Sequence, residues 1–195
     1  MSFFFDPLER GSFDLVQVDF PWPWETWSAS GRKKSPQYDC MTLDEIADTH
    51  ADELLAPGGV MVMWGTWPLI GPQHLICENA FGLKVKTGGC WSKRTKSGKL
   101  RVGTGHILRS VCEPFLVACR PNHKLKARGA AYNLIETLDH LEVPGIARES
   151  GRKPEEMHEL LEKLTPGWRR ADIFSRQSRK GWRTFGRERH KFDAK

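Results

Sequence analysis

Asp14-Leu15-Val16-Gln17-Val18-Asp19-Phe20-Pro21-Trp22 is the stretch that decides how this chain is read. A short apolar run ends in an acid, and Pro21 and Pro23 forbid its continuation as a central strand. The run therefore reads as a buried strand with Asp19 at its carboxyl end. An acid, a turn-forcing proline and an aromatic at that place are a poor structural choice and a useful chemical one. The bland alternative for Asp19 is a turn or helix-capping acid.

Working outward, residues 25–40 are rich in Ser, Gly, Lys and Pro and read as a long loop. Thr42-Leu43-Asp44-Glu45 is a capping-box pattern, and Leu43, Ile46, Ala47, Ala51, Leu54 and Leu55 follow at helical spacing until Pro57-Gly58-Gly59. That predicts one continuous helix. Gly59 to Trp64 reads as a second buried strand, and Gln73 to Ala80 as a short helix stopped near Gly82. Lys84 to Trp91 and Phe115 to Cys119 read as further strands. Pro154 is placed at a helix N1 position with Glu155 and Glu156 behind it; that helix ends at Thr165-Pro166-Gly167, and Ala171 to Phe174 reads as another strand. The alternation predicts an open α/β sheet, mostly parallel, with helices on both faces and ligands beyond the carboxyl ends of the strands. Asp19, Trp64 and Phe174 are expected at one rim.

The 195 residues predict a single domain, 1–195, with mobile loops at about 23–40 and 93–112 and a basic tail at about 177–195. The longest apolar stretch, Gly59 to Ile70, falls short of the roughly 20 residues that span a bilayer, so no membrane partner is expected. The start lacks a basic n-region and an apolar h-region, which predicts a cytoplasmic protein. Five cysteines without a C-x-x-C pair predict buried thiols rather than disulfides. Seven histidines without H-x-x-x-H or H-x-E spacing predict no metal. No Gly-rich fingerprint for a dinucleotide or triphosphate is present.

Charge is unevenly placed. Residues 1–90 hold 6 Lys/Arg and 12 Asp/Glu, whereas residues 91–195 hold 24 and 12. The bases cluster in Lys93, Arg94, Lys96, Lys99 and Arg101, in Arg120 to Arg128, and from Arg176 onward. Solvated loops are the plain reading of such runs. Three clusters in one half point instead to a polyanion, because neutralising phosphates takes many Lys and Arg on one surface.

An adenine amino group is a weak nucleophile because its lone pair is delocalised into the ring. Asp19 accepting one amino hydrogen, and a backbone carbonyl around Phe20-Pro21 accepting the other, would aim that nitrogen at a methyl donor and stabilise the developing charge. Trp22 or Phe20 would stack on a base taken from a flipped or single-stranded site. The same logic covers cytosine N4.

The chain resembles the D-P-P-W type of adenine-N6 methyltransferase, a family that includes messenger-RNA adenosine methylases and bacterial and phage DNA methylases. The likeness runs from Asp14–Trp22 through Tyr38–Thr42, Val62–Thr66, Cys90–Lys93, Gly103–His106 and Cys112–Phe115. It resumes at Arg152–Glu156, Pro166–Arg169, Asp172–Arg176 and Gly181–Gly186. The resemblance implies a Rossmann-like methyltransferase sheet and S-adenosylmethionine as cofactor. It implies a catalytic Asp19-Phe20-Pro21-Trp22 and cofactor contacts at Asp19, Lys153, Asp172, Phe174, Arg176, Arg187 and Glu188. It places Tyr38, Trp64, Trp91, Gly103, His106 and Glu113 around the target base. For Trp64 and Trp91 a place in the core is the alternative reading, as it is for Phe174; Lys153 is alternatively a solvated base and Asp172 a strand-end acid.

Two positions depart from the family pattern. Phe20 stands where the motif has its first proline, which keeps the carbonyl and removes the ring's rigidity. Arg187 stands where many relatives have asparagine. Few residues precede the first strand, so residues 2–13 or a partner subunit would have to supply the adenine edge. The substrate implied is DNA, with RNA as the alternative. A catalytically silent nucleic-acid-binding subunit of the same fold is the reading of another class, and a homodimer is a further expectation. The compartment implied is the cytoplasm of a bacterial or phage-infected cell.

Overall fold

Phe13–Val18 forms the central strand, β1, and every residue but Asp14 is buried. Burial on both faces is what a strand flanked by parallel neighbours requires. The computed structural model describes residues 3–23, 39–103, 107–123, 125, 131–138 and 152–193. The loop expected at 25–40 lies almost wholly outside them. β1 pairs in parallel with β2, Leu55–Trp64, on one side and with β6, Arg170–Ile173, on the other. β3 (Lys84–Arg94), β4 (Cys112–Cys119), β5 (Leu134–Leu138) and β7 (Trp182–Phe185) complete a seven-stranded sheet in the order β5-β3-β4-β2-β1-β6-β7. Pairs β3–β5 and β6–β7 are parallel; β4 runs antiparallel to both β2 and β3. The expected Rossmann-like, mostly parallel sheet is present.

Alternation along the strands sorts the core into two layers. Val16, Val18, Met61 and Met63 pack with Ile46, Leu54, Ile76, Cys77 and Phe81 on one face. Leu15, Val60, Val62 and Trp64 pack with Met157 and Leu161 of α3, Glu155–Leu164, on the other. Helices therefore cover both faces, as expected.

The helix predicted from Thr42 to Leu55 is shorter. Thr42 caps α1, Leu43–Ala47, with the reciprocal Glu45 bond of a capping box. Thr49 Oγ1 then donates to Ile46 O at 2.7 Å, and His50 turns left-handed at φ 51°. A side chain bonding its own helix backbone competes with propagation. A 3-10 turn, Ala51–Leu54, follows, and β2 starts at Leu55, with its register to β1 shifting where Pro57-Gly58-Gly59 intervenes. The second helix also begins earlier than expected: a 3-10 turn at Trp67–Leu69 leads into α2, Ile70–Leu75, and a wider turn over Ile76–Ala80. Pro154 is the N-cap of α3 rather than its N1 residue.

The segment expected as a basic tail holds β7 and a turn system tied back by Ser178 to Asp193 and by Arg176 to Glu188. The loop expected at 93–112 starts later, since β3 runs to Arg94, which bridges to Leu100.

Where β6 ends, Phe174 adopts φ 59°, a region that a bulky side chain avoids. Its N–H donates to Phe185 O at 2.6 Å, and Gly186 lies against it at φ 139°. A Cβ on Gly186 would stand 3.0 Å from Phe174 Cα. Gly186→Ala is expected to cost about 1–3 kcal/mol in urea unfolding, because strain at Gly186 and displacement of Phe174 add; an unchanged midpoint would contradict this packing.

Candidate functional site

The carboxyl ends of parallel β1, β2 and β6 bring Asp19, Trp64 and Phe174 to one rim, as expected. Asp19 N–H donates to Ile173 O at 3.1 Å, which ties the acid to the end of β6. Its side chain lines a pocket with Arg152, Lys153, Asp172, Phe174, Ser175, Arg176, Gln177 and Arg179.

Lys153, just before α3, reaches across the rim. Its Nζ lies 3.2 Å from Asp19 Oδ2 and 3.0 Å from Glu113 Oε2, and 5.1 Å from the Trp64 ring centroid. Lys93 holds the other oxygen of Glu113 at 3.1 Å and sits 4.0 Å over the Trp91 ring. Two carboxylates and two ammonium groups thus alternate along the rim. Burial pushes the Asp19 carboxyl above its ordinary value, and the Lys153 charge offsets only part of that rise. Burial acts upward on Glu113 too, but Lys153 and Lys93 together outweigh it and bring it to about 2. Lys153 loses by burial and gains more from Asp19 and Glu113, so its ammonium form is strongly held.

The aromatic residues of the motif are not an open platform. Phe20 is 2% and Trp22 7% exposed. Phe20 packs on Trp22, Phe81 and Phe174, and Trp22 Nε1 donates to Trp64 O at 2.9 Å. Stacking of a base on either ring, expected from the sequence, is corrected: both rings are spent on fixing the acid's turn. Trp22 N–H donates to Phe20 O and Met41 N–H to Pro21 O, each at 2.8 Å. Each carbonyl retains a second lone pair.

Trp64 and Trp91, expected around the base, are buried in the sheet core. Trp91 Nε1 donates to Thr137 Oγ1 at 2.9 Å. They form the floor beneath Lys153 and Lys93 rather than a surface for stacking. Tyr38 and His106 lie outside the described residues. Gly103 N–H donates to Ser110 O at 2.7 Å. Of the basic cluster, Lys93 serves Glu113 and Arg94 is held by Glu136 at 2.6 Å, whereas Lys96, Lys99 and Arg101 are exposed.

Asp172, expected to meet ribose hydroxyls, is 4% exposed. Its oxygens already bond Gln17, His158 and Arg179. Arg187 is solvent-exposed, paired with Asp39, and does not line the pocket; Glu188 reaches it only through Arg176, at 3.0 Å. Beside Phe174, Phe4 and Phe5 lie at ring-centroid distances of 6.4 and 6.5 Å, and neither lines the pocket.

Sequence reasoning missed Arg152, Ser175, Gln177 and Arg179. Gln177 and Arg179 line the pocket, and Arg179 Nη2 and Gln177 Oε1 are buried with no hydrogen-bond partner among the described residues. An unsatisfied buried polar atom costs about 1–3 kcal/mol, so a donor and an acceptor left open together mark a place for a polar ligand. Position after a strand end was the available signal; burial was not.

A central parallel strand delivering an acid to a cationic pocket defines a Rossmann-like domain that takes its ligand beyond the strand ends. The sequence pattern of the MT-A70 family matches residues 13–188, and the chain belongs to that family. N6-methyladenosine RNA methyltransferase MTA1 of Cryphonectria parasitica is 29% identical over 195 residues, covering 94% of this chain and 54% of the relative. N(6)-adenosine-methyltransferase MT-A70-like of Arabidopsis thaliana is 26% identical over 184 residues, covering 91% and 24%. N(6)-adenine-specific methyltransferase METTL4 of Homo sapiens is 24% identical over 190 residues, covering 94% and 39%. The chain spans about half the length of the first and less of the others.

Because Glu113 titrates near 2 in the fold against 4.5 for a free glutamate, its stabilising contribution is complete above about pH 4.5 and is lost as pH falls toward about 2. Glu113→Gln should therefore lower the unfolding midpoint at neutral pH, with the gap to wild type closing across that acid window. A constant gap would mean that Glu113 acts otherwise than as an anion.

Proposed function

We propose that this chain transfers a methyl group from S-adenosylmethionine to the N6 amino group of adenine in DNA. The observation that carries the reading is Asp19: a carboxylate at the end of the central strand, facing the pocket beside Lys153. Asp19 accepts one amino hydrogen of the base, and the free lone pair of the Phe20 carbonyl accepts the other, so that the nitrogen lone pair turns out of conjugation. Lys153 favours the ionised form of Asp19 against burial. The ionised carboxylate then stabilises the positive charge that grows on the amine.

The chemistry of the pocket lining supports S-adenosylmethionine as the cofactor. Arg179 Nη2 and Gln177 Oε1 are a donor and an acceptor without partners among the described residues, Arg152, Lys153 and Arg176 add positive charge suited to a carboxylate, and Phe174 adds an apolar wall. S-adenosylmethionine supplies the activated methyl group when bound. Asp172 serves by holding Arg179, and Glu188 by holding Arg176.

The exposed Lys96, Lys99 and Arg101 are the phosphate contacts of the proposed nucleic-acid surface. DNA rests on the resemblance to bacterial and phage members of the family. The likeness to N6-methyladenosine RNA methyltransferase MTA1 supports RNA as the second reading. A silent binding subunit is disfavoured because Asp19 and the open pocket polar atoms are both in place.

Incubation with labelled S-adenosylmethionine and matched DNA and RNA pools, followed by nucleoside mass spectrometry, should yield N6-methyldeoxyadenosine. N6-methyladenosine would move the substrate to RNA, N4-methylcytosine would move the base, and no product would sink the reading. Asp19→Asn is expected to abolish transfer while nucleic-acid binding persists; turnover near wild type would remove the mechanism. Replacing Lys96, Lys99 and Arg101 with alanine should reduce the slope of log affinity against log salt by about 2 to 3, at ~0.9 per lost phosphate contact on duplex. An unaltered slope would place the nucleic acid elsewhere.

A further inference from the structure

We propose that His158 is a positioning residue for the pocket: acting through Asp172, it holds the Arg179 guanidinium so that Nη2 faces the ligand. The inference rests on the reading of this pocket as the cofactor site. His158 is 1% exposed, one turn into α3. Its Nδ1 lies 3.1 Å from Pro154 O, and a carbonyl can only accept, so Nδ1 carries a hydrogen. Its Nε2 lies 2.9 Å from Asp172 Oδ2. Trp182 packs edge-on against the imidazole at 5.0 Å and fixes its plane.

Asp172 is immobilised by this arrangement. Gln17 Nε2, from β1, lies 2.8 Å from His158 Nε2 and donates to Asp172 Oδ1 at 3.3 Å, while Arg179 Nη1 donates to Oδ2 at 3.4 Å. Glu155 Oε2 takes Arg179 Nε at 3.0 Å. The guanidinium is thus gripped at two nitrogens by carboxylates from α3 and β6. Nη2 alone has no hydrogen-bond partner among the described residues, and Arg179 lines the pocket. A planar fork fixed at two corners presents its third in one direction, which is what recognition of a carboxylate or ribose oxygen needs. Because His158 also holds the carbonyl next to Lys153, it ties the Lys153 wall to the Arg179 wall.

The test is calorimetric titration of S-adenosylhomocysteine into the full chain, with thermal melts of every variant. His158→Ala should weaken binding about tenfold, as expected when a charge-assisted hydrogen bond is lost. His158→Gln keeps a donor near the Nε2 position and should recover most of the affinity. His158→Asn keeps only the Nδ1 position and should not. Arg179→Ala should show a loss that does not add to that of His158→Ala in the double variant. A purely structural role for His158 would make affinity follow the melting temperature, with no difference between His158→Gln and His158→Asn at equal stability. That result, additive losses, or unaltered affinity in His158→Ala overturns the inference alone. A wild type that binds no S-adenosylhomocysteine sinks the cofactor reading and this inference with it. Should His158→Ala fail to fold, the Gln and Asn pair decides.

Discussion

One ammonium group organises the rim. Lys153 bridges Asp19 at the end of β1 and Glu113 at the start of β4, over the face of Trp64. A cation in that setting is tolerable only with both carboxylates present, because desolvating an unpaired charge costs several kcal/mol. The carboxylates in turn would repel each other without it. Three chain segments distant in sequence are therefore locked in one arrangement, and the pocket opens on one side of it. The lysine's second task is to favour the ionised form of a partly buried acid.

The motif's own aromatic residues support this arrangement from beneath. Phe20 and Trp22 were legible as important and not legible as buried. Their burial depends on partners far along the chain, Trp64 and Phe174, which no local pattern predicts. The central strand was readable because an apolar run met two prolines, and α3 because its capping acids and its stop were both local. The break in the first helix was missed because the apolar spacing continues through Thr49 and His50, whose backbone bonding interrupts it. β5 and β7 were missed for a different reason. One is half exposed and the other is four residues long among basic side chains, so neither shows the burial that marks an inner strand.

Residues proposed from family likeness divide in the same way. Asp19, Lys153, Asp172, Phe174 and Arg176 meet at one pocket, where Asp172 is held by His158 and Arg179, whereas Arg187 stands in solvent. The substitution of phenylalanine for the first proline of the motif has a local explanation: the Phe20 ring fills the core between Trp22, Phe81 and Phe174, and its packing replaces the rigidity that a ring closure would provide. The strained Phe174 backbone, held by Gly186, belongs to the same wall.

The central claim is that Asp19 is a partly buried carboxylate kept ionised by Lys153, and carboxyl-carbon NMR titration of Asp19 tests it most directly. The account predicts a midpoint above the ordinary aspartate range in the wild type, moving higher still in Lys153→Met. A midpoint at the value of a free aspartate, unmoved by that substitution, would contradict it.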